Sequence, residues 1–206
     1  MQYGLNLKID DAGLQAIYQA GQNITLVKTS TQNPLAGGNL PVAWVSFDPL
    51  ESNAITWVEN YFLYATTTLV QAGVTITMQS MTAGPAQTGV QYTFENGFFS
   101  ALPGIGSVFL MGNGTPAPPN FNFGLAQEAT VNNSPIFSPL NIQPVLYNCE
   151  ATFTPLETVS IFLSSTENNG VVLSQVASQA LVVTLNSQNP TANISFNDAN
   201  NTFFQQ

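Results

Sequence analysis

Phe47-Asp48-Pro49-Leu50-Glu51-Ser52-Asn53-Ala54-Ile55 reappears later in the chain as Phe153-Thr154-Pro155-Leu156-Glu157-Thr158-Val159-Ser160-Ile161. In both copies an apolar strand runs into Phe-x-Pro-Leu-Glu-Ser/Thr, and a second apolar strand leaves it. Proline lacks the ladder donor and ends the first strand; the glutamate and the hydroxyl cap or solvate the corner. The motif therefore reads as strand, corner, strand, with Phe47, Pro49 and Glu51 answered by Phe153, Pro155 and Glu157. Tyr3-Gly4-Leu5 is echoed by Phe123-Gly124-Leu125, and Phe94 to Phe99 by Phe196 to Phe204. An internal duplication would give two related β-halves, 1–105 and 120–206, packed about a pseudo-twofold or fused into one domain. Residues 106–119, flanked by Pro103-Gly104 and ending in Pro116-Ala117-Pro118-Pro119, read as the linker, where a central strand is not expected.

Outward from the motif the pattern is β almost throughout. Tyr3 to Ile9, Ile24 to Thr29, Val42 to Phe47, Ala54 to Thr68 and Val74 to Thr82 alternate or are rich in aromatic and β-branched residues. Asn96-Gly97 is a type I′ turn signal, and Asn113-Gly114 and Asn169-Gly170 mark further turns. One helix is expected, at about 11–20, with Asp10-Asp11 at its start, Leu14, Ile17 and Tyr18 on one face and Gly21 at its stop. The fold class is all-β, an antiparallel β-sandwich with one short N-terminal helix.

Composition narrows function chiefly by exclusion. Of 206 residues, 44% are hydrophobic and 6% charged, against a usual charged share of about 25%. Two cations, Lys8 and Lys28, face eleven carboxylates, for a net charge of −9. Neutralising phosphates takes several cations, so nucleic acid is excluded as a partner and anionic headgroups gain no basic patch. Ion pairing is expected to contribute nothing to the fold. With no His there is no imidazole base, no Ser-His-Asp set and no His metal ligand. A single cysteine excludes an intrachain disulfide and zinc–thiolate sites; Cys149 reads as a small buried hydrophobe. No phosphate-binding loop occurs, and no cofactor or metal is expected. Asn197-Asp198-Ala199-Asn200-Asn201 approaches a calcium loop but reads as a turn. The N-terminus shows no signal-peptide pattern, so cytoplasmic synthesis is expected, with release or deposition as an assembly afterwards.

Three sets of residues remain. Trp44, Trp57, Glu59, Tyr61 and Tyr64 form the densest aromatic region, and strand parity puts Trp57, Glu59 and Tyr61 on one face. Exposed, these rings would suit a glycan or partner; buried, they are core. Asp48, Glu51 and Glu59 are the one carboxylate group a glycoside hydrolase could use, although the matching of Glu51 with Glu157 favours a structural corner. Thr66 to Thr82 and Ser164 to Ser187, the latter broken only by Glu167, alternate Thr, Ser and Gln with apolar residues, as strands of a membrane barrel or half-buried hairpins do. The expected function is non-enzymatic: a self-associating β-protein forming homo-oligomers, filaments or inclusions. A surface with few charges and no lysine gatekeepers leaves strand edges open. The alternative is a lectin-like or pore-forming protein acting on a carbohydrate or membrane surface.

Overall fold

The computed structural model describes residues 1–33, 40–166 and 168–206; Glu167 lies outside the described residues. Among the described residues, seventeen strands and one helix follow in chain order. They are β1 (Gln2–Lys8), α1 (Asp11–Gln19), β2 (Asn23–Asn33), β3 (Val42–Ala43), β4 (Val45–Phe47), β5 (Ser52–Thr66) and β6 (Ser80–Met81). Next come β7 (Val90–Glu95), β8 (Phe98–Pro103), β9 (Phe109–Asn113), β10 (Asn122–Val131), β11 (Ser134–Pro139) and β12 (Gln143–Pro144). The last are β13 (Glu150–Ser164), β14 (Val171–Val172), β15 (Leu181–Thr184), β16 (Thr191–Asn197) and β17 (Thr202–Gln205). The chain is all-β with one short helix. Asp10 is the N-cap of that helix, its carboxylate accepting from the Gly13 amide at 2.8 Å.

An eight-stranded sheet runs β11-β10-β5-β1-β16-β17, with β12 on β10 and β6 on β5. A seven-stranded sheet runs β4-β2-β13-β9-β7-β8, with β15 on β13, and β14 pairs β3 as a small third sheet. Both large sheets are mixed, not purely antiparallel: β1 lies parallel to β16 and β7 parallel to β9. Neither pair is joined by a hairpin, so nothing local forces them antiparallel. Residues 1–105 and 120–206 do not form separate sheets. β5 pairs β10, β1 pairs β16 and β2 pairs β13, so strands from the two segments interleave in both sheets. The expected linker supplies β9, seated between β13 and β7 in the middle of the second sheet. Its apolar Phe109-Leu110-Met111 stands clear of the flanking prolines, and Met111 is fully buried.

The two large sheets bury one core between them. Rings meet across it: Trp44 and Trp57 edge-on at 5.4 Å, Tyr61 and Phe109 at 5.5 Å, Phe94 and Phe123 at 5.5 Å. A smaller cluster, including Tyr64, Ile76, Ala126, Ile142 and Val172, lies on the opposite face of β5 and β10. It explains why the two Thr/Ser-rich segments are not long hairpins. Residues 67–79, 165–166 and 168–170 are mostly irregular, and the two segments bond to each other: Gly73 to Val172, Val172 to Val74, Ile76 to Gly170. Together they cover Tyr64, whose hydroxyl donates to the Asn141 carbonyl. Gly124 makes that approach feasible, since a Cβ there would stand 2.1 Å from the Asn141 oxygen and 2.8 Å from the Tyr64 ring.

Candidate functional site

Three strands carry a polar residue at an inward position of an otherwise apolar alternation. On β2 the inward series is Ile24, Leu26, Lys28; on β10 it is Phe123, Leu125, Gln127, Ala129, Val131; on β13 it is Phe153, Glu157, Val159, Ile161. The side chains of Lys28, Gln127 and Glu157 converge between the sheets. Lys28 Nζ donates to Glu157 Oε2 at 2.8 Å and Oε1 at 3.0 Å, to Gln127 Oε1 at 2.9 Å and to the Tyr61 hydroxyl at 3.0 Å. Trp57 Nε1 donates to Glu157 Oε2 at 2.7 Å, and the Tyr61 hydroxyl donates to Oε1 at 2.5 Å. Gln127 Nε2 donates to the Val58 carbonyl at 2.6 Å, and the Gln127 carbonyl accepts from Trp44 Nε1 at 3.2 Å.

Local backbone irregularities make this possible. β13 bulges between Pro155 and Val159 where it faces Ser30 and Lys28 of β2, releasing Leu156-Glu157-Thr158 from the β2 ladder while Thr158 pairs Thr184 of β15 on the other side. β5 bulges in the same way between Trp57 and Tyr61, where Val58-Glu59-Asn60 faces Glu128 of β10. Two extra residues leave side-chain parity intact, so Trp57 and Tyr61 still point the same way, as strand parity predicts.

Electrostatics set the character of the site. The Lys28 side chain is wholly buried and that of Glu157 only 12% exposed. The ammonium lies 5.4 Å from the Trp44 ring centre, 5.3 Å from Trp57 and 5.0 Å from Tyr61, a cation–π cage. Burial pulls the Lys28 pKa down to about 8, and the adjacent Glu157 carboxylate resists that fall. Burial, reinforced by Glu157, pushes the Tyr61 phenol far above its usual range. Burial raises Tyr64 as well. The expectation that ion pairs contribute nothing does not hold. One pair is buried, and stranding either partner would be costly.

Glu157 thus departs from the solvated-corner reading, whereas Glu51 is exposed and follows it. Trp44, Trp57, Tyr61 and Tyr64 are 0 to 4% exposed and present no platform for a sugar. The reason is that the first three cage Lys28 and the last lies under the irregular segments. Only Glu59 of the five ring-region candidates is open, pairing with the N-terminal amine at 3.0 Å beside the Tyr3 hydroxyl at 3.4 Å. Cys149 is exposed, not buried, because it follows the Asn148 turn outside the core. Asn197 to Asn201 is the turn between β16 and β17, held by the Ala199 amide donating to Asn197 Oδ1.

A cleft of about 610 Å³ opens beside the cage, lined among others by Glu59, Tyr61, Gln87, Thr88, Phe109 and Glu157. Asp48 and Glu51 do not line it, so the expected hydrolase trio is split. Of the two carboxylates in the cleft, Glu157 already accepts four hydrogen bonds and Glu59 is tied to the N-terminus. Among the described residues no three His, Cys, Asp or Glu side chains gather as metal donors. Lys28, Gln127 and Glu157 as a group are what sequence reading missed. Their signal was present: each is the polar intruder in an apolar inward series. No protein-family model, curated protein or solved structure matches this chain.

Proposed function

We propose that this is a non-enzymatic β-protein that assembles with copies of itself through the free edge of the seven-stranded sheet. The observation that carries this reading is β8. It is the last strand of its sheet, and among the described residues nothing pairs with its outer side. Phe98 and Leu102 on it, and Ile105 just beyond, are 76%, 60% and 90% exposed. No Lys or Arg follows Lys28, so the usual gatekeeper is missing. Edge β11, by contrast, carries proline at Pro135 and Pro139. β8 has proline only at its last residue. An apolar edge of this kind supports pairing with an identical edge about a twofold axis.

Light scattering behind size exclusion tests it. The chain is expected to run as an oligomer and the Phe98→Lys/Leu102→Lys variant as a monomer. A wild-type chain that stays monomeric at tens of micromolar overturns the reading. Recognition of a glycan or membrane surface is the weaker alternative, because the rings it would use are buried and the segments it would insert are bonded to each other. A hydrolase is weaker still, because the cleft carboxylates are already engaged.

A further inference from the structure

Lys28 Nζ sits 2.9 Å from the carboxamide oxygen of Gln127, inside a cage of three aromatic rings and with no solvent access to the lysine side chain. Glu157 touches the same nitrogen with both carboxylate oxygens. An amine held against a carboxamide, with a carboxyl group on the amine, contains the reactants and the proton carrier of a transamidation. We propose that Lys28 and Gln127 join in an intramolecular isopeptide bond, with Glu157 as the catalytic acid–base residue and ammonia as the leaving group.

The step balances without any co-reactant. Glu157 takes a proton from the Lys28 ammonium, and the freed lone pair attacks Cδ of Gln127. The C=O electron pair moves onto Oε1. Glu157 returns its proton to Nε2 and removes a second one from Nζ. The C–O electrons fall back, the Cδ–Nε2 bond breaks and ammonia departs, taking the proton from Glu157 as ammonium. A new Nζ–Cδ bond replaces Cδ–Nε2; nothing is oxidised or reduced.

Other contacts favour this course. Burial weakens the ammonium, so a neutral nucleophilic amine is within reach near neutral pH. The Tyr61 hydroxyl, between Glu157 and Nζ, can relay protons. The Val58 carbonyl in the β5 bulge holds the departing nitrogen at 2.6 Å. The product would tie β2 to β10, and so one large sheet to the other, across 99 positions of sequence. The inference is independent of the assembly proposed above.

Mass spectrometry of the purified full chain decides the matter. The intact mass is expected to fall short of the sequence mass by one ammonia, and digestion with an acid-residue-specific protease and pepsin should yield a branched peptide holding both Lys28 and Gln127. Recovery of Lys28 and Gln127 on separate, unmodified peptides overturns the proposal. It does so even if ammonia has been lost elsewhere, by cyclisation at Gln2 or at the Asn-Gly pairs of Asn96, Asn113 or Asn169. Glu157→Gln should abolish the branched peptide, and its persistence there would remove Glu157 from the chemistry. Should that variant not fold, the wild-type peptide map alone decides whether the bond exists.

Discussion

The two Phe-x-Pro-Leu-Glu stretches are nearly the same locally and fold differently. In the first, Phe47 ends β4, residues 48–51 turn, and β5 begins in the other sheet. Asn53 holds the turn: its Oδ1 accepts from the Leu50 amide at 3.0 Å and its Nδ2 donates to the Leu50 carbonyl at 2.6 Å. In the second, β13 runs straight through Phe153 and Pro155, bulges at 156–158 and continues, flanked by β2 throughout. Where the first copy has Asn53, the second has Val159, fully buried in the core. The same glutamate is solvated as Glu51 and caged as Glu157. Local sequence proposes an interruption; what lies opposite decides between a corner and a bulge. Proline is tolerated in β13 because Pro155 falls where the side away from β2 is unpaired, between the end of the β9 ladder at Phe153 and the start of the β15 ladder at Thr158.

The largest expected difference between the copies is at their glutamates. Glu157→Ala strands the buried Lys28 ammonium and should cost about 3–5 kcal/mol, whereas Glu51→Ala should stay within about 0.5 kcal/mol. Equal urea midpoints for the two variants would mean that the caged Glu157 carries no more structural weight than the solvated Glu51.

In the Gln127→Met chain, where Lys28 must remain a free amine, burial still makes the folded state hold that proton less tightly than the unfolded chain, in the direction that gives about 8 against 10.5 with Gln127 present. Between those values the unfolded chain binds more protons, so stability should rise with pH from about 8. Tyr61 and Tyr64, raised by burial, stay protonated while unfolded tyrosine ionises near about 10, so stability should fall beyond that. If the isopeptide forms in the wild-type chain, its rising limb should vanish, since an amide nitrogen does not titrate. Urea midpoints from neutral to strongly alkaline pH check both chains.

Asn53→Ala should cost about 1–2 kcal/mol by releasing the Leu50 turn and the Asn132 amide that donates to Asn53 at 3.1 Å. An effect within error would mean that Asn53 does not hold the first copy as a corner. Smallest in folding stability, Phe98→Lys should change the monomer by less than about 0.5 kcal/mol while weakening self-association. Thermal melts paired with light scattering separate the two readouts.

Much of the architecture was legible because it is periodic. The Asp10 cap, the Asn96-Gly97 turn and the long strands follow from local pattern, and they appear as β1, α1, β2, β5 and the β7–β8 hairpin. The site was only half legible. Parity aligned Trp57 with Tyr61, yet nothing local says that Lys28 of β2, Gln127 of β10 and Glu157 of β13 occupy one cavity. Each alone is a polar residue that breaks an apolar alternation, and such a break reads equally as an edge or a slip of register.

From the order of residues alone it follows that this chain is β-rich, carries one short capped helix, and lacks imidazoles and the cations that phosphate binding requires. Those conclusions depend on side-chain chemistry and on periods of two or 3.6 residues, which act within a few positions. Tertiary structure alone decided that Pro103 to Pro119 contains a central strand, that the two similar motifs diverge, and that one of two lysines is sealed among rings. Pairing between remote strands is governed by which faces can be buried together. A buried charge is tolerated only where distant residues jointly supply its partners, and no local pattern encodes that agreement.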